Sequence, residues 1–138
     1  MRLLIDTNAL LDLPIQRGED SLRSRLFFDL AARHKNEFTL TAMTLRDIGY
    51  VAQHCLHDWK KRDKSKRKFT CSLLKIIDAS ADATITSLYE DWEDYEDSLR
   101  HRCAIDSTCD AIVTSNKKDF EKAKLPVYSP MELIAYWQ

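Results

Sequence analysis

The chain has 138 residues, 44% hydrophobic and 31% charged, with a formal net charge of −1, which suits one globular domain over residues 1–138 and excludes a disordered or fibrous chain. Only two glycines, Gly18 and Gly49, are present, so the glycine-rich phosphate loops of P-loop and dinucleotide-binding proteins are excluded. No apolar stretch reaches bilayer-spanning length, and the opening apolar run is too short, with an acid in its midst, for a signal peptide; a cytoplasmic protein is expected.

In chain order, Leu3-Leu4-Ile5 reads as a strand buried on both faces, because such strands lose their alternation and appear as continuous apolar runs. A short helix is expected at about 8–13, then a polar, turn-rich stretch from Pro14 to Asp20. Leu22, Leu26, Phe27, Leu30 and Ala31 predict a helix over 21–34, and Phe38-Thr39-Leu40-Thr41 a second strand. Leu45, Ile48, Val51, Ala52, Cys55 and Leu56 return to a helical period. Phe69, Leu73, Leu74, Ile76 and Ile77 suggest a further helix over 69–77, with Ala79-Ser80 as a very short strand. Ala83, Ile85, Leu88 and Tyr89 suggest one or two more helical turns, and a helix over about 93–108 offers Tyr95, Leu99, Cys103 and Ala104 for burial. Ala111-Ile112-Val113-Thr114 reads as a strand ending at Ser115-Asn116. Val127-Tyr128 is a small last strand, and Pro130 opens a terminal helix carrying Met131, Leu133, Ile134 and Trp137. Strands alternating with helices imply a three-layer α/β/α fold around a mainly parallel, four- to five-stranded sheet.

Charge is segregated along the chain: residues 60–68 (KKRDKSKRK) are strongly basic and 90–97 (EDWEDYED) strongly acidic. Cys55, Cys71, Cys103 and Cys109 form no CxxC pair and read as reduced, mostly buried thiols. His54 and His57 lack a matching pair for a metal, so packing or surface roles fit them better.

The acids need individual reasons. Asp6 closes the first strand, where open α/β sheets place ligand sites at strand carboxyl ends; alternatively Asp6, Thr7 or Asn8 caps the following helix. Asp47 fits a capping pattern, Thr44-x-x-Asp47, or a site at the same sheet edge. Asp94 and Glu96 suit the positive end of a helix dipole. Asp97 instead lies beside the apolar residues Tyr95, Leu99 and Ala104. Asp119 is either a turn or cap residue in Asn116-Lys117-Lys118-Asp119 or a further member of the cluster.

Four segments in order, LIDTNALLDL, TLRDI, YEDSLRHRCA and IVTSNKKDF, resemble those of PIN domains over essentially the whole chain, nearest to bacterial toxins of the VapC type. The resemblance implies a Mg²⁺- or Mn²⁺-dependent ribonuclease leaving a 5′-phosphate and a 3′-hydroxyl. Asp6 matches the first family aspartate and Asn8 its usual neighbour. Asp47 takes the place of a glutamate in T-L-x-E-L, and Asp97 matches the aspartate of the D-A-x-x-x-x-x-A helix, with Ser98 in place of Ala and Ala104 retained. Asn116 stands where many members carry Asp, and Asp119 is the second candidate there. The implied metal ligands are Asp6, Asp47, Asp97 and Asp119, with Asn116 or Asp119 positioning water.

Clustered carboxylates suit that chemistry because hard divalent ions prefer oxygen ligands and relieve the mutual repulsion of the acids. Such an ion also activates bound water as the nucleophile. Asp47 is one methylene shorter than Glu, and Asn116 brings no charge. Asn8, Thr114 and Ser115 are expected at the substrate. Lys60, Lys61, Arg62, Lys66 and Arg67 fit an RNA-backbone clamp, a solvated connection, or a patch docking an acidic partner. The resemblance further implies an antitoxin partner and a possible homodimer. The competing reading is a PIN-fold protein-interaction or RNA-binding module with a weak or inert site.

Overall fold

The unbroken apolar run at the start of the chain forms the middle of a sheet. In a computed structural model, which describes residues 1–12, 19–55 and 74–138, β1 (Arg2–Ile5) lies between β2 (Glu37–Thr41) and β4 (Ala111–Val113). The order is β3-β2-β1-β4-β5, with β3 Leu74–Ile77 and β5 Val127–Tyr128 at the edges and every pairing parallel. A central parallel strand is covered on both faces, so Leu3 and Ile5 point into one core and Leu4 into the other.

Between the strands lie α1 Thr7–Asp12, α2 Glu19–Arg33, α3 Ala42–Cys55, α4 Ala81–Ser87, α5 Tyr95–Asp106 and a 3₁₀ turn at Lys117–Phe120, and α6 Pro130–Trp137 follows β5. Leu3, Ile5, Phe27, Phe38, Val113 and Trp137 share one core, and Leu4, Ala104, Ile112 and Phe120 the other. Phe27 is fully buried, stacked on Phe38 at 5.3 Å between ring centroids and tilted against Trp137 at 5.6 Å. This is the mainly parallel, three-layer PIN-like architecture expected.

One element differs from its sequence reading. The stretch read as a helix ends as a strand, β3, pairing Phe38 with Leu74 through Thr41 with Ile77, and Ala79-Ser80 is not a strand. Leu74, Ile76 and Ile77 fit either period in so short a run, and pairing with β2 decides it. Ser80 is instead the N-cap of α4, its Oγ accepting the Ala83 N–H at 3.0 Å. Helix starts elsewhere are also specific. Thr41 Oγ1 accepts the Thr44 N–H at 3.1 Å, which places Thr44 inside the first turn of α3 and removes the capping-box role read for Thr44 and Asp47. Asp94 caps α5 through the N–H groups of Glu96 and Asp97. Pro130 opens α6 behind a reciprocal Ser129–Glu132 capping box.

Cys103 and Cys109 are buried free thiols, and burial pushes both thiols up, Cys103 to about 11. The polar stretch 13–18, the segment 56–73 with His57, Cys71 and all the basic residues of 60–68, and the side chains of His54 and Cys55 lie outside the described residues. No described helix is long and apolar enough to cross a membrane.

His101 is buried on α5, its Nε2 accepting the Lys124 N–H at 3.0 Å and its ring 5.0 Å from that of Trp92. Burial first, then Lys124 and Arg102, hold its pKa below the ordinary value, against the opposing charge of Glu90.

Two outcomes follow from this packing. Phe27→Ala should lower the urea-measured unfolding free energy by about 3–5 kcal/mol, the usual cost of emptying an aromatic core position. Because the unfolded chain binds a proton at His101 more readily than the native one, native stability should decline as pH falls below about 6.5. Comparing His101→Gln with the native chain isolates this contribution: the variant's stability should depend less steeply on pH between 7 and 5, measured by urea denaturation at each pH.

Candidate active site

Register brings the site together. Ile5 pairs with Val113, so Asp6 and Thr114 emerge side by side at the carboxyl ends of β1 and β4, and the Asp6 N–H donates to Val113 O at 2.9 Å. Asp6 is only 2% exposed. Its Oδ1 accepts the Thr7 N–H at 2.7 Å, and its Oδ2 accepts the Thr114 hydroxyl at 2.9 Å. Asp6 thus lies at the sheet edge and bonds the N–H of Thr7, the residue next to it, rather than an N–H further along α1. Thr114, expected at the substrate, is instead fully buried with its hydroxyl committed to Asp6, and that same oxygen accepts the Asn116 N–H at 3.1 Å.

Asp97 sits in the first turn of α5, buried as its apolar neighbours suggest. Burial pushes its carboxyl up to about 6, helped by the nearby charges of Asp94 and Asp6 and opposed by Arg100. Asp47, on α3, is half-buried and pairs with Arg46 at 3.0 Å. Behind these acids, Thr44 Oγ1 accepts hydroxyl hydrogen bonds from Thr7 at 3.3 Å and Thr41 at 3.0 Å, tying α1, β2 and α3 together at this edge.

The residue that joins the acids is Arg100, which the reading of the acids left out. Its guanidinium lies 2.9 Å from Asp97, 3.1 Å from Glu96, 3.5 Å from Asp47 and 3.7 Å from Asp6, and the residue is 7% exposed. Asp6, Asp47 and Asp97, distant in sequence, thus converge on one cation. The signal was present: Arg100 follows Glu96 by four and Asp97 by three, the spacing at which acid and base meet on a helix. Among the described residues, no three His, Cys, Asp or Glu side chains are set to hold a metal ion as they stand. In type the three carboxylates suit a hard cation, and in this arrangement the guanidinium has their company.

The other expected residues lie at or beyond the rim. Asn116 Nδ2 donates to both Asp119 oxygens at 2.9 Å on the exposed 3₁₀ turn. Asp119 shares a cleft of about 310 Å³ with Asp97, Asp94, Trp92, Lys118 and Lys122, but it makes no ion pair with Arg100. Asn8 and Ser115 are exposed. A larger depression of about 370 Å³, lined by Arg2, Lys35, Glu37, Thr108 and Asp110, lies at the opposite, amino-terminal ends of β1 and β2. Arg2 there pairs with Glu37 and donates to Ser107 O and the Thr108 hydroxyl, and its backbone N–H donates to Asp110.

Comparison with known proteins agrees with this architecture. A solved structure of PAE2754 from Pyrobaculum aerophilum superposes with a TM-score of 0.69 at 17% identity, over 99% of this chain and 95% of that one. A toxin–antitoxin complex from Klebsiella pneumoniae gives 0.64 at 22% identity over 93% and 97%. VapBC2 from Rickettsia felis, bound to a DNA fragment from its promoter, gives 0.66 at 22% over 94% and 98%. No curated protein matches the chain. The family model described as the PIN domain matches residues 2–118, and that match, carried by a parallel sheet with Asp6 at its centre, places this chain in the PIN-domain family.

Proposed function

We propose that this chain is a ribonuclease that hydrolyses RNA phosphodiesters with a water nucleophile and a Mg²⁺ or Mn²⁺ cofactor at the Asp6–Asp47–Asp97 cluster. The observation that carries this reading is the convergence of these carboxylates, from three separate elements, at the carboxyl edge of the sheet. The PIN family is one of nucleases, which supports phosphodiester hydrolysis as the reaction class. The likeness to a toxin–antitoxin complex supports a toxin held by an antitoxin, acting in the cytoplasm.

The donor set fits such an ion in chemistry: among the described residues Arg100 faces four carboxylates, only one of which, Asp47, is also paired with Arg46, and a surplus of negative charge is left for a hard cation to neutralise. Asp6, Asp47 and Asp97 would hold the ion, with Asp119 as a further candidate from the shared cleft. When bound, it supplies Lewis acidity and a water of lowered pKa.

The chain's own residues do the remaining work. Thr7 N–H and the Thr114 hydroxyl fix both oxygens of Asp6, so that this carboxylate is oriented before any ligand arrives. Burial holds the Asp97 carboxyl up at about 6 even beside Arg100, and a bound cation would favour its charged form. Asn116 orients Asp119 at the rim, where the pair serves to position water or substrate. Asn8 and Ser115 are accessible to RNA, and the basic residues Lys60, Lys61, Arg62, Lys66 and Arg67 are assigned to the phosphate backbone on charge alone.

A second reading has its own observation. Arg100 within the cluster, with Asn116 where many relatives carry Asp, favours a PIN-fold protein-interaction or RNA-binding module with little or no cleavage.

The deciding experiment follows a labelled RNA with Mg²⁺, Mn²⁺ or EDTA. Cleavage should require the divalent ion, leave a 5′-phosphate, and fall by about 100-fold or more in Asp6→Asn. RNA binding without cleavage in the native protein would establish the second reading. Thr114→Val keeps the volume of the side chain and removes only the hydroxyl that orients Asp6; its cleavage rate should drop by about 10- to 100-fold, as for other supporting groups of a metal ligand. Circular dichroism should show an unchanged fold in the same variant.

A further inference from the structure

Among the residues whose burial is described, Arg100 is the only buried lysine or arginine, and it faces four acids. Its grip on them is uneven. The Nη1 and Nη2 groups bond Asp97 and Glu96 at hydrogen-bonding distance. Nε is buried without any hydrogen-bond acceptor, since Asp6 at 3.7 Å is an ion-pair partner too distant to accept a bond.

The partners also differ in exposure. The Asp6 and Asp97 side chains are 3% and 12% exposed, whereas the Glu96 side chain is 52% exposed and stands one turn before Arg100 on the same helix. Glu96 therefore offers the guanidinium a resting place in solvent that it already touches.

We propose that Arg100 is a tethered cation that competes with a divalent ion for the oxygens of Asp6, Asp47 and Asp97, and that it yields them by pivoting on Glu96 to the solvent rim. This inference rests on the reading of the cluster as a divalent-cation site. It makes Arg100 a positioning residue that sets the concentration at which the ion enters: the guanidinium supplies the positive charge in the ion's absence and must be displaced for the ion to bind.

The test uses the full chain and Mn²⁺ alone, titrated by calorimetry into the native protein, Arg100→Met and Asp6→Asn. Methionine keeps an apolar stem in the same space without charge. Arg100→Met should bind Mn²⁺ more tightly by on the order of tenfold or more, since a positive charge within about 4 Å of the ligand oxygens is removed. Its melting temperature should be lower than that of the native protein without the ion and recover when Mn²⁺ is added. A purely structural arginine would produce the loss of melting temperature without the gain in affinity.

A second measurement needs no change to the site. The Nε–H resonance of Arg100, assigned by its loss in Arg100→Lys, should move during a Mg²⁺ titration of the native protein and saturate with ion binding. Unchanged Mn²⁺ affinity in Arg100→Met, or an unmoved Nε–H signal in a protein saturated with Mg²⁺, overturns the proposal while leaving the cation site intact. If neither the native chain nor Arg100→Met binds Mn²⁺, the cation-site reading itself falls and takes this inference with it. Should Arg100→Met fail to fold, the native-protein titration decides alone.

Discussion

Four carboxylates share one guanidinium at the edge of the sheet, and the arrangement around it is constrained by that sharing. Two of the acids, Asp6 and Asp97, are buried, and an uncompensated buried charge costs several kcal/mol, roughly 3–5 when a partner is removed. Among the described residues, the fold meets that demand for Asp6 and Asp97 with geometry and this one guanidinium. Thr7 and Thr114 hold Asp6, Asp94 caps the helix that presents Asp97, and α5 carries both Asp97 and the arginine that faces it. What remains uncompensated appears in the raised pKa of Asp97.

The threonines make up a second layer of the same design. Thr41 starts α3 by accepting the Thr44 N–H, and Thr44 receives the hydroxyls of Thr7 and Thr41. These short side chains are buried, so their polar groups must find each other. In doing so they lock the ends of β1 and β2 to the helices that follow them. The carboxylates stand on a base with little rotational freedom.

Sequence reasoning was strongest where burial leaves a one-dimensional trace. The runs at Leu3–Ile5 and Ala111–Val113 are continuous because their strands are covered on both faces, and the acid ending the first of them marks the carboxyl edge. Edge strand β3 left no such trace: Lys75 and Ile76 are exposed, and three apolar residues in four positions satisfy a helical period equally well. At the site, Asp97 was legible from its apolar neighbours. Asp6 was readable only as a choice between two roles, because capping and site placement use the same atom positions. Thr114 and Arg100 were harder for a common reason. The hydroxyl of Thr114 is defined by a partner about a hundred residues away, and of the contacts of Arg100 only those to Glu96 and Asp97 leave a local pattern, those to Asp6 and Asp47 lying far off in the sequence.

The placement of β1 also sets an order of assembly. It precedes the other described strands in the chain and is the central strand of the finished sheet, and its second neighbour, β4, lies more than a hundred residues downstream. While the chain is being synthesised β1 can pair with β2, but its other flank stays bare until Ala111–Val113 have emerged, a long-range closure of the slow kind. Asp6 acquires the hydroxyl of Thr114 at that same moment. A partly synthesised chain therefore holds Asp6 and Asp47 without the hydroxyl that fixes the second oxygen of Asp6, and the pairing of β1 with β4 and the orientation of that carboxylate are one event.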